Sequence, residues 1–155
     1  MPGRLDSFEV RILAELQEDC TLSTVELASR VGLSQAPCWR RLNRLRREGY
    51  IRREVALVDR SKVGLGTQVF AHVKLSSHGR TNVSEFIRAT KELPEIMECH
   101  IVLGGVDALL RVVVEDVNAY ERFFYDHLSR LPGVQEVNSM VSLTVGKSTT
   151  SLPIQ

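Results

Sequence analysis

The sequence predicts an α+β protein of two domains, a winged helix-turn-helix unit followed by a β-α-β-β-α-β unit. Two observations predict this arrangement. Residues 1–60 combine apolar residues at helical spacing with capping residues and short turns, whereas residues 61–155 contain two strand–helix–strand patterns in tandem. The polar connector Asp59–Gly66 separates the two patterns, and we therefore place the domains at 1–60 and 61–155.

The composition is that of a globular protein with one localised basic patch. The chain has 155 residues, of which 43% are hydrophobic, and a formal net charge of +1. Residues 1–60 carry 11 Arg against 9 acidic residues (11 − 9 = +2), whereas residues 61–155 carry 9 cations against 10 acidic residues (9 − 10 = −1). This uneven split favours a DNA-contacting module joined to a neutral domain.

Several classes of protein and site are excluded. No apolar run approaches the roughly 18–20 residues that cross a bilayer, and the N-terminus lacks the apolar core of a signal peptide. The three cysteines show no C-x-x-C spacing, which argues against a disulfide framework and a metal site. Cys99 and His100 are neighbours in a predicted strand, so they point to opposite faces and do not form a nucleophile–base pair. We expect a cytoplasmic protein that is not an enzyme and has no cofactor.

Three helices are predicted in the N-terminal third. Asp6 and Glu9 have the spacing of a capping box, and Ser23 and Glu26 open a second helix in the same way. The turn Gly32–Ser34 leads directly into a third helix. A helix, a short turn with glycine and a second helix with a polar start form a helix-turn-helix, which places its second helix in the major groove of DNA.

The third helix, within Ser34–Gly49, is amphipathic and strongly basic. Apolar residues that recur every three positions predict its packed face; they are Ala36, Trp39, Leu42 and Leu45. This prediction places Trp39 in the core. From Arg40 to Arg53 the chain has seven Arg against one Glu (7 − 1 = +6). The alternative is an ordinary three-helix bundle with a solvated basic face. Because all the cations are Arg, whose planar fork fits phosphate and guanine edges, DNA binding is favoured.

The start of this helix and its cations supply the expected DNA contacts. The first residues of a recognition helix contact base edges, and other cations reach phosphates. A strand at 50–58 is predicted from its apolar and β-branched residues and forms the wing. We expect base contacts from Gln35, Ala36, Arg40 and Arg41, phosphate contacts from Ser34, Arg44 and Arg47, and wing contacts from Arg52 and Arg53.

An internal repeat predicts the topology of the second domain. Leu93-Pro and Leu131-Pro lie 38 residues apart (131 − 93 = 38), and in both places a helix ends and a strand begins two residues later. Two such units give a ferredoxin-like fold, in which both helices cover one face of a four-stranded antiparallel sheet. We expect strands at 68–75, 96–103, 108–114 and 134–145, helices at 83–93 and 118–131, and a turn at 76–79.

The other face of this sheet is predicted to be open. Val73, Ile101 and Val112 are expected to expose apolar area there, and such a face usually binds a partner subunit. We therefore expect a homodimer. Its two recognition helices would lie about one duplex turn apart, as a palindromic operator on double-stranded DNA requires.

Several motifs together resemble the bacterial Lrp/AsnC (feast/famine) transcriptional regulators. They are the run Glu26–Cys38 with Arg40-Arg-Leu and Gly49-Tyr-Ile after it, Leu5-Asp6, Gly104 with Asp107, and Leu131-Pro-Gly-Val134. The likeness covers nearly the whole chain. It implies dimers that assemble into octamers or related rings, and a small amino-acid effector bound between dimers. The segments Asp19–Ser23, Pro37–Trp39 and Thr149–Ile154 look most similar to a cysteine-responsive subset of the family.

The resemblance also implies an effector site on the Gly-x-x-Asp hairpin, completed by the last strand of a neighbouring subunit. Carried over to this chain, the site comprises Gly104, Gly105, Val106, Asp107, Met140 and Ser142. Free N–H groups of a Gly-rich turn suit a carboxylate, and a carboxylate side chain suits an ammonium group. The sequence departs from the family at Gly105, where a polar residue is common, and at Ala108, where an aromatic residue is common. A tight hairpin turn without a ligand is the alternative interpretation.

On these grounds we expect sequence-specific transcriptional regulation in the nucleoid. Two alternatives remain at this point. An architectural nucleoid protein would bind DNA without an effector, and an amino-acid-binding accessory protein or small enzyme would have no affinity for DNA.

Overall fold

The computed structural model describes residues 5–154, which divide into two compact units. Residues 5–57 and 147–154 form the first unit, and Val58–Gly146 form the second. After the functions predicted from the sequence, we call them the DNA-binding unit and the ligand unit. Within residues 5–154, no helix is both long enough and apolar enough to cross a membrane.

The DNA-binding unit consists of three helices, α1 (Ser7–Glu18), α2 (Thr24–Val31) and α3 (Gln35–Arg47). Both predicted capping boxes are confirmed, at the start of α1 and at the start of α2. Each cap satisfies backbone N–H groups that a helix start would otherwise leave without an acceptor. The three helices enclose one core, whose buried residues are Ile12, Leu13, Leu27, Ala28, Val31, Cys38, Leu42 and Leu45.

The predicted packed face of α3 is wrong in its first half. Cys38, Leu42 and Leu45 are buried, at the i, i+4, i+7 spacing of a straight helix, whereas Trp39 is 56% exposed and Ala36 is also exposed. Burial raises the pKa of the Cys38 thiol. Cys38 is therefore a small apolar core residue, and Trp39 belongs to the solvent side of the helix.

The predicted strand at 50–58 is also wrong for the single chain. Tyr50 and Ile51 pack against the helical core, and the following residues have no regular secondary structure. Val55 and Leu57 are exposed. A strand needs a neighbour for its backbone N–H and C=O groups, and no other strand is present in this unit within residues 5–154.

The C-terminal segment lies on α1 of the DNA-binding unit. The Gln17 side chain forms two hydrogen bonds with the backbone of Leu152, accepting from its N–H at 2.6 Å and donating to its carbonyl at 3.2 Å. Ile154 packs against the helical core. The amide of Gln17 thus satisfies both backbone groups of Leu152, as a neighbouring strand would.

The ligand unit has a four-stranded antiparallel sheet in the order β2-β3-β1-β4. Its strands are β1 (Thr67–Leu75), β2 (Ile96–Ile101), β3 (Ala108–Val114) and β4 (Val134–Val141). Its helices are α4 (Ser77–Thr81), α5 (Val83–Lys91) and α6 (Val117–Asp126), followed by a short 3₁₀ helix at Leu128–Arg130. The predicted ferredoxin-like fold is confirmed. The predicted turn at 76–79 is instead the capped start of α4, where the Ser76 hydroxyl accepts from the Gly79 N–H.

The helices cover the sheet face that the sequence analysis assigned to the open side. Val73 and Val112 are fully buried in the core beneath the helices, so their predicted exposure is wrong. Residues that alternate with the buried ones along β1 point to the other face of the sheet. On that face Phe70 of β1 pairs with Met140 of β4, and both side chains are exposed. The ligand unit therefore has an open face with apolar side chains, but Val73 and Val112 are not among them. The third residue predicted to be exposed, Ile101, is 46% exposed.

Candidate nucleic-acid interface and hairpin site

The turn between α2 and α3 fixes the angle at which the two helices meet. Gly32 ends α2 in the left-handed region (φ 72°), and the Leu33 N–H donates to the Ala28 carbonyl at 2.9 Å. Ser34 occupies the N-cap position of α3, but its hydroxyl makes no capping hydrogen bond there. Among residues 5–154, the Ser34 hydroxyl and the N–H groups of Gln35 and Ala36 have no hydrogen-bond partner, so the start of α3 can offer them to a ligand.

The solvent side of α3 brings together four of the predicted DNA contacts. Gln35, Ala36, Arg40 and Arg47 are all exposed. Ala36, Arg40 and Arg47 lie opposite Cys38 and its buried neighbours, whereas Gln35 lies at the side of the first turn. Within the described part of the chain, Arg40 has no carboxylate within salt-bridge distance. Arg47 approaches Glu48 only to 4.0 Å and its side chain is 77% exposed. This face is polar, cationic and accessible, as groove recognition requires.

Two other predicted DNA contacts, Arg41 and Arg44, are held by carboxylates at the start of α1, one from its N-cap residue and one from its first turn. The Arg41 Nε lies 3.2 Å from Asp6. The Arg44 Nη1 lies 2.6 Å from Oε1 of Glu9, which is only 1% exposed, and Arg44 Nε lies 3.1 Å from Glu48. The hydrogen bond that Arg44 donates to Glu48 and the negative charge of Glu9 raise the pKa of Arg44 further above its ordinary value. Arg44 therefore connects α3 to α1.

Glu9 was missed as a positioning residue because only its capping role can be inferred from spacing. Its Oε2 accepts from the Asp6 N–H at 2.9 Å while its Oε1 accepts from Arg44. One buried carboxylate thus closes the cap of α1 and also fixes α3.

The basic segment after α3 is partly neutralised in the same way. Arg46 pairs with Glu54 at 2.7 Å, which fixes the chain just beyond the helix. The predicted wing residues Arg52 and Arg53 are exposed in an irregular segment. Of the seven arginines between Arg40 and Arg53, the exposed cations without a close carboxylate partner among residues 5–154 are Arg40, Arg47, Arg52 and Arg53.

The predicted effector hairpin connects β2 to β3 in the ligand unit. Gly104 and Gly105 are exposed, and their backbone N–H groups have no acceptor among the described residues. Asp107 closes the turn: its N–H donates to the Val73 carbonyl, and its own carbonyl accepts from Val102. The loop thus offers free donors of the kind that bind a carboxylate.

The Asp107 side chain already has partners within the ligand unit. Its carboxylate accepts from the Leu75 N–H at 2.8 Å and lies 3.2 Å from Arg80 Nε. These contacts hold the pKa of the Asp107 carboxyl below its ordinary value, with the Leu75 hydrogen bond as the main cause. Asp107 therefore fixes the hairpin to the end of β1 and to α4.

A pH-dependent stability is expected from these contacts. Because the folded state lowers the pKa of Asp107, its carboxylate stabilises the ligand unit fully above the unfolded pKa of about 3.9, and this contribution disappears as the pH falls through the lower folded pKa. The stability difference between the wild type and Asp107→Asn should be constant from about pH 5 to 7 and shrink below about pH 4. Urea unfolding across this range measures it. A difference that does not change with pH contradicts the assignment.

Met140 and Ser142 lie away from the hairpin of the same chain. Met140 pairs with Phe70 and Ser142 donates to the Gln68 carbonyl, whereas the hairpin adjoins the other end of β1, at Val73. Val73 lies three residues beyond Phe70 along β1, a distance of about 10 Å. In addition, β3 and β4 lie on opposite sides of β1. A site containing both groups of residues therefore needs two chains.

Two family models match almost the whole chain. A model described as the Lrp/AsnC ligand binding domain matches residues 68–152, and one described as winged helix-turn-helix DNA-binding matches residues 5–52. Among curated relatives, the DNA-binding transcriptional activator DecR of Escherichia coli K12 is 38% identical over 151 residues, covering 97% of this chain and 99% of that protein. The leucine-responsive regulatory protein of the same strain is 38% identical over 155 residues, covering 99% and 94%.

Solved structures share the whole architecture. A transcriptional regulator from Neisseria meningitidis in complex with L-Met superposes with a TM-score of 0.92 at 37% identity, covering 97% of both chains. An AsnC family transcriptional regulator from Agrobacterium tumefaciens gives a TM-score of 0.91 at 40% identity, covering 96% of this chain and 97% of that chain.

Proposed function

Because the chain belongs to the Lrp/AsnC family of DNA-binding transcriptional regulators, we propose that α3 recognises one half-site of a palindromic operator and that a small amino acid controls this binding. Family members are regulators and not enzymes, and the same holds here. The observation that carries the DNA proposal is the exposed, cationic side of α3 opposite its buried face. We place the protein on the nucleoid in the cytoplasm.

The contacts of α3 divide by position and by partner. Gln35, Ala36 and Arg40 lie in the first two turns and face solvent, so they are assigned to base edges. Ser34 and Arg47 are assigned to phosphates, as are the exposed Arg52 and Arg53. Arg41 and Arg44, which the carboxylates at the start of α1 hold, are assigned mainly to orienting the helix.

Replacing Arg40 by alanine is expected to weaken operator binding by about 1–3 kcal/mol and to relax sequence preference at one position of each half-site. The guanidinium has no carboxylate partner among residues 5–154, so the change removes a DNA contact and leaves the fold intact. Fluorescence anisotropy with a duplex selected from a random pool, and with its single-position variants, measures both effects. Unchanged affinity for the selected duplex overturns the assignment.

Replacing Arg47 by alanine should have a different result on the same helix. If Arg47 contacts a phosphate, binding to every sequence weakens equally, and the slope of log K against log salt concentration falls by about one unit. The salt dependence of binding to a selected and a scrambled duplex tests this. A loss confined to the selected duplex would place Arg47 on a base.

The ligand unit is proposed to form the dimer. Its open sheet face exposes Phe70 and Met140, and covering such apolar area stabilises association. A two-fold dimer presents two copies of α3, as a palindromic site requires. Further assembly to an octamer or a similar ring would bring the hairpin of one chain to Met140 and Ser142 of another. Sedimentation velocity across a range of concentrations tests for both assemblies.

The effector proposal is that the free N–H groups of Gly104 and Gly105 bind the α-carboxylate of an amino acid, with Val106 and Asp107 beside them and Met140 and Ser142 from a neighbouring chain. The L-Met complex of the Neisseria meningitidis relative supports an amino-acid ligand. Likeness to the cysteine-responsive subset makes cysteine a second compound to test.

Gel shifts of the DNA upstream of the protein's own gene, with and without a panel of amino acids, test this proposal. A change in mobility or affinity with one amino acid supports it. Equal affinity for all sequences with no amino-acid response would favour an architectural nucleoid protein, and ligand binding without DNA affinity would favour an accessory protein.

A further inference from the structure

Trp39 is the one tryptophan of the chain, and it lies exposed on the recognition helix. The side chain is 56% exposed although three other apolar residues of α3 are buried. An aromatic side chain buries about 150–250 Å² when it is fully packed. Much of the apolar area of Trp39 therefore remains exposed to solvent in the DNA-binding unit, and the stabilisation that burying it would bring is missing.

The position of Trp39 on α3 places it among the residues assigned to base edges. It follows Gln35 by four residues and Ala36 by three, and both are exposed. Residues three and four apart are neighbours on a helix surface. At a rise of about 1.5 Å per residue, the indole lies about one turn into the helix from Gln35. It also precedes the exposed Arg40 directly in sequence.

The charges around Trp39 favour DNA over a protein as the partner that covers its side chain. A protein partner on this side of α3 would also have to cover Arg40 and Arg47, which have no close carboxylate among the described residues. Burying unpaired cations is costly. Double-stranded DNA supplies both needs at once, because phosphates pair with the arginines and the major groove offers the apolar methyl group of thymine.

We propose that Trp39 is a specificity-determining residue that contacts the C5-methyl group of a thymine in the major groove, next to the base that Arg40 recognises. This inference rests on the proposed function of α3 in operator binding. The small Ala36 side chain, one turn earlier, leaves room for a base edge to approach the indole. The contact discriminates thymine from cytosine by shape and by apolar contact, without a hydrogen bond.

Replacing thymine by deoxyuridine removes only the methyl group and so tests this contact. Each thymine of the duplex selected by the wild type is replaced in turn, and affinity is measured by anisotropy of a label on the DNA. For the wild type, replacing one symmetric pair of thymines should weaken binding about fourfold for each methyl group removed. This factor corresponds to the free energy of burying one such group. For Trp39→Ala, binding to the unmodified duplex should already be weaker, and the same replacements should have no further effect.

A matched control is Leu152→Ala, which removes another exposed apolar side chain of the DNA-binding unit, at a position outside α3. It should keep the wild-type response to deoxyuridine. Trp39→Phe keeps an apolar ring and should retain part of the response. If Trp39→Ala responds to every deoxyuridine as the wild type does, the proposal is overturned.

Because the chain has one tryptophan, its emission reports on Trp39 alone. Operator binding should shield the indole from quenching by acrylamide, whereas a scrambled duplex at low salt should shield it less. Equal quenching with and without bound operator overturns the proposal and leaves the proposed function intact, because the DNA label measures binding independently. If the labelled DNA shows no binding to any duplex, the proposed function fails and this inference fails with it.

Discussion

Replacing Arg44 by methionine is expected to lower the free energy of unfolding of the DNA-binding unit by about 3 kcal/mol. The change leaves the Glu9 carboxylate, which is 1% exposed, with the Asp6 N–H as its one remaining hydrogen-bond donor among residues 5–154. Removing one partner of a buried ion pair costs about 3–5 kcal/mol. The low end applies because the Arg44 side chain is 32% exposed and Glu9 keeps its capping bond. Urea unfolding followed by far-UV circular dichroism measures the change.

Arg47→Met is the matched control, since it makes the same substitution on the same helix. The Arg47 side chain is 77% exposed and only approaches Glu48 at 4.0 Å, so its removal should change stability by less than about 0.5 kcal/mol. The two variants should therefore show opposite patterns. Arg44→Met loses stability, whereas Arg47→Met loses DNA affinity at every sequence. If Arg44→Met is as stable as Arg47→Met and weakens DNA binding instead, Arg44 is the phosphate contact that the sequence predicted.

The fold could be predicted because its signals are local. Capping boxes at Asp6 and Ser23 mark helix starts from residues three positions apart, and both are present. The repeated Leu-Pro pairs mark two helix-to-strand junctions, and the observed strand order β2-β3-β1-β4 follows from the tandem topology. These features depend on a few neighbouring residues, which the sequence shows directly.

The availability of each arginine could not be predicted in the same way. The partners of Arg41 and Arg44 are Asp6 and Glu9, both 35 residues away in the chain. A charge count along α3 includes all its cations and misses the carboxylates that packing brings to them. The electrostatic surface is a property of the tertiary structure, whereas net charge per segment is a property of the sequence.

The face of an element was harder to predict than its existence. In α3, counting back from Leu45 in steps of three assigns Trp39 and Ala36 to the packed face. The structure instead has steps of three and then four, which place Cys38 there. Both patterns are compatible with a period of 3.6 residues. In the sheet, alternation shows which residues of β1 share a face but not which face the helices cover. Val73 was therefore assigned to the open side although it is in the core.

Replacing Gly133 by alanine is expected to destabilise the ligand unit by about 2–5 kcal/mol, because two separate effects add. Gly133 has φ 75°, a left-handed conformation that costs an alanine roughly 1–2 kcal/mol. Its backbone also lies against that of Gly79, so that a Cβ on either residue would meet the other within 3.0 Å. Crowding of this kind costs about 1–3 kcal/mol.

Three other glycines of the ligand unit separate the two effects. Gly146→Ala has open space and no positive φ, so its stability should change little. Gly64→Ala has open space but φ 81° and should lose only the roughly 1–2 kcal/mol of the conformational strain. Gly79→Ala lies in α4, where alanine suits the helix, and its Cβ would meet the Gly133 carbonyl oxygen at 2.7 Å, so its loss reports the crowding. Urea unfolding should show the smallest loss of unfolding free energy for Gly146→Ala, intermediate losses for Gly64→Ala and Gly79→Ala, and the largest loss for Gly133→Ala. The loss for Gly133→Ala should be close to the sum of the two intermediate losses. A Gly133→Ala variant no less stable than Gly64→Ala would show that the contact between the two backbones adds no constraint, and that α4 packs independently of the turn before β4.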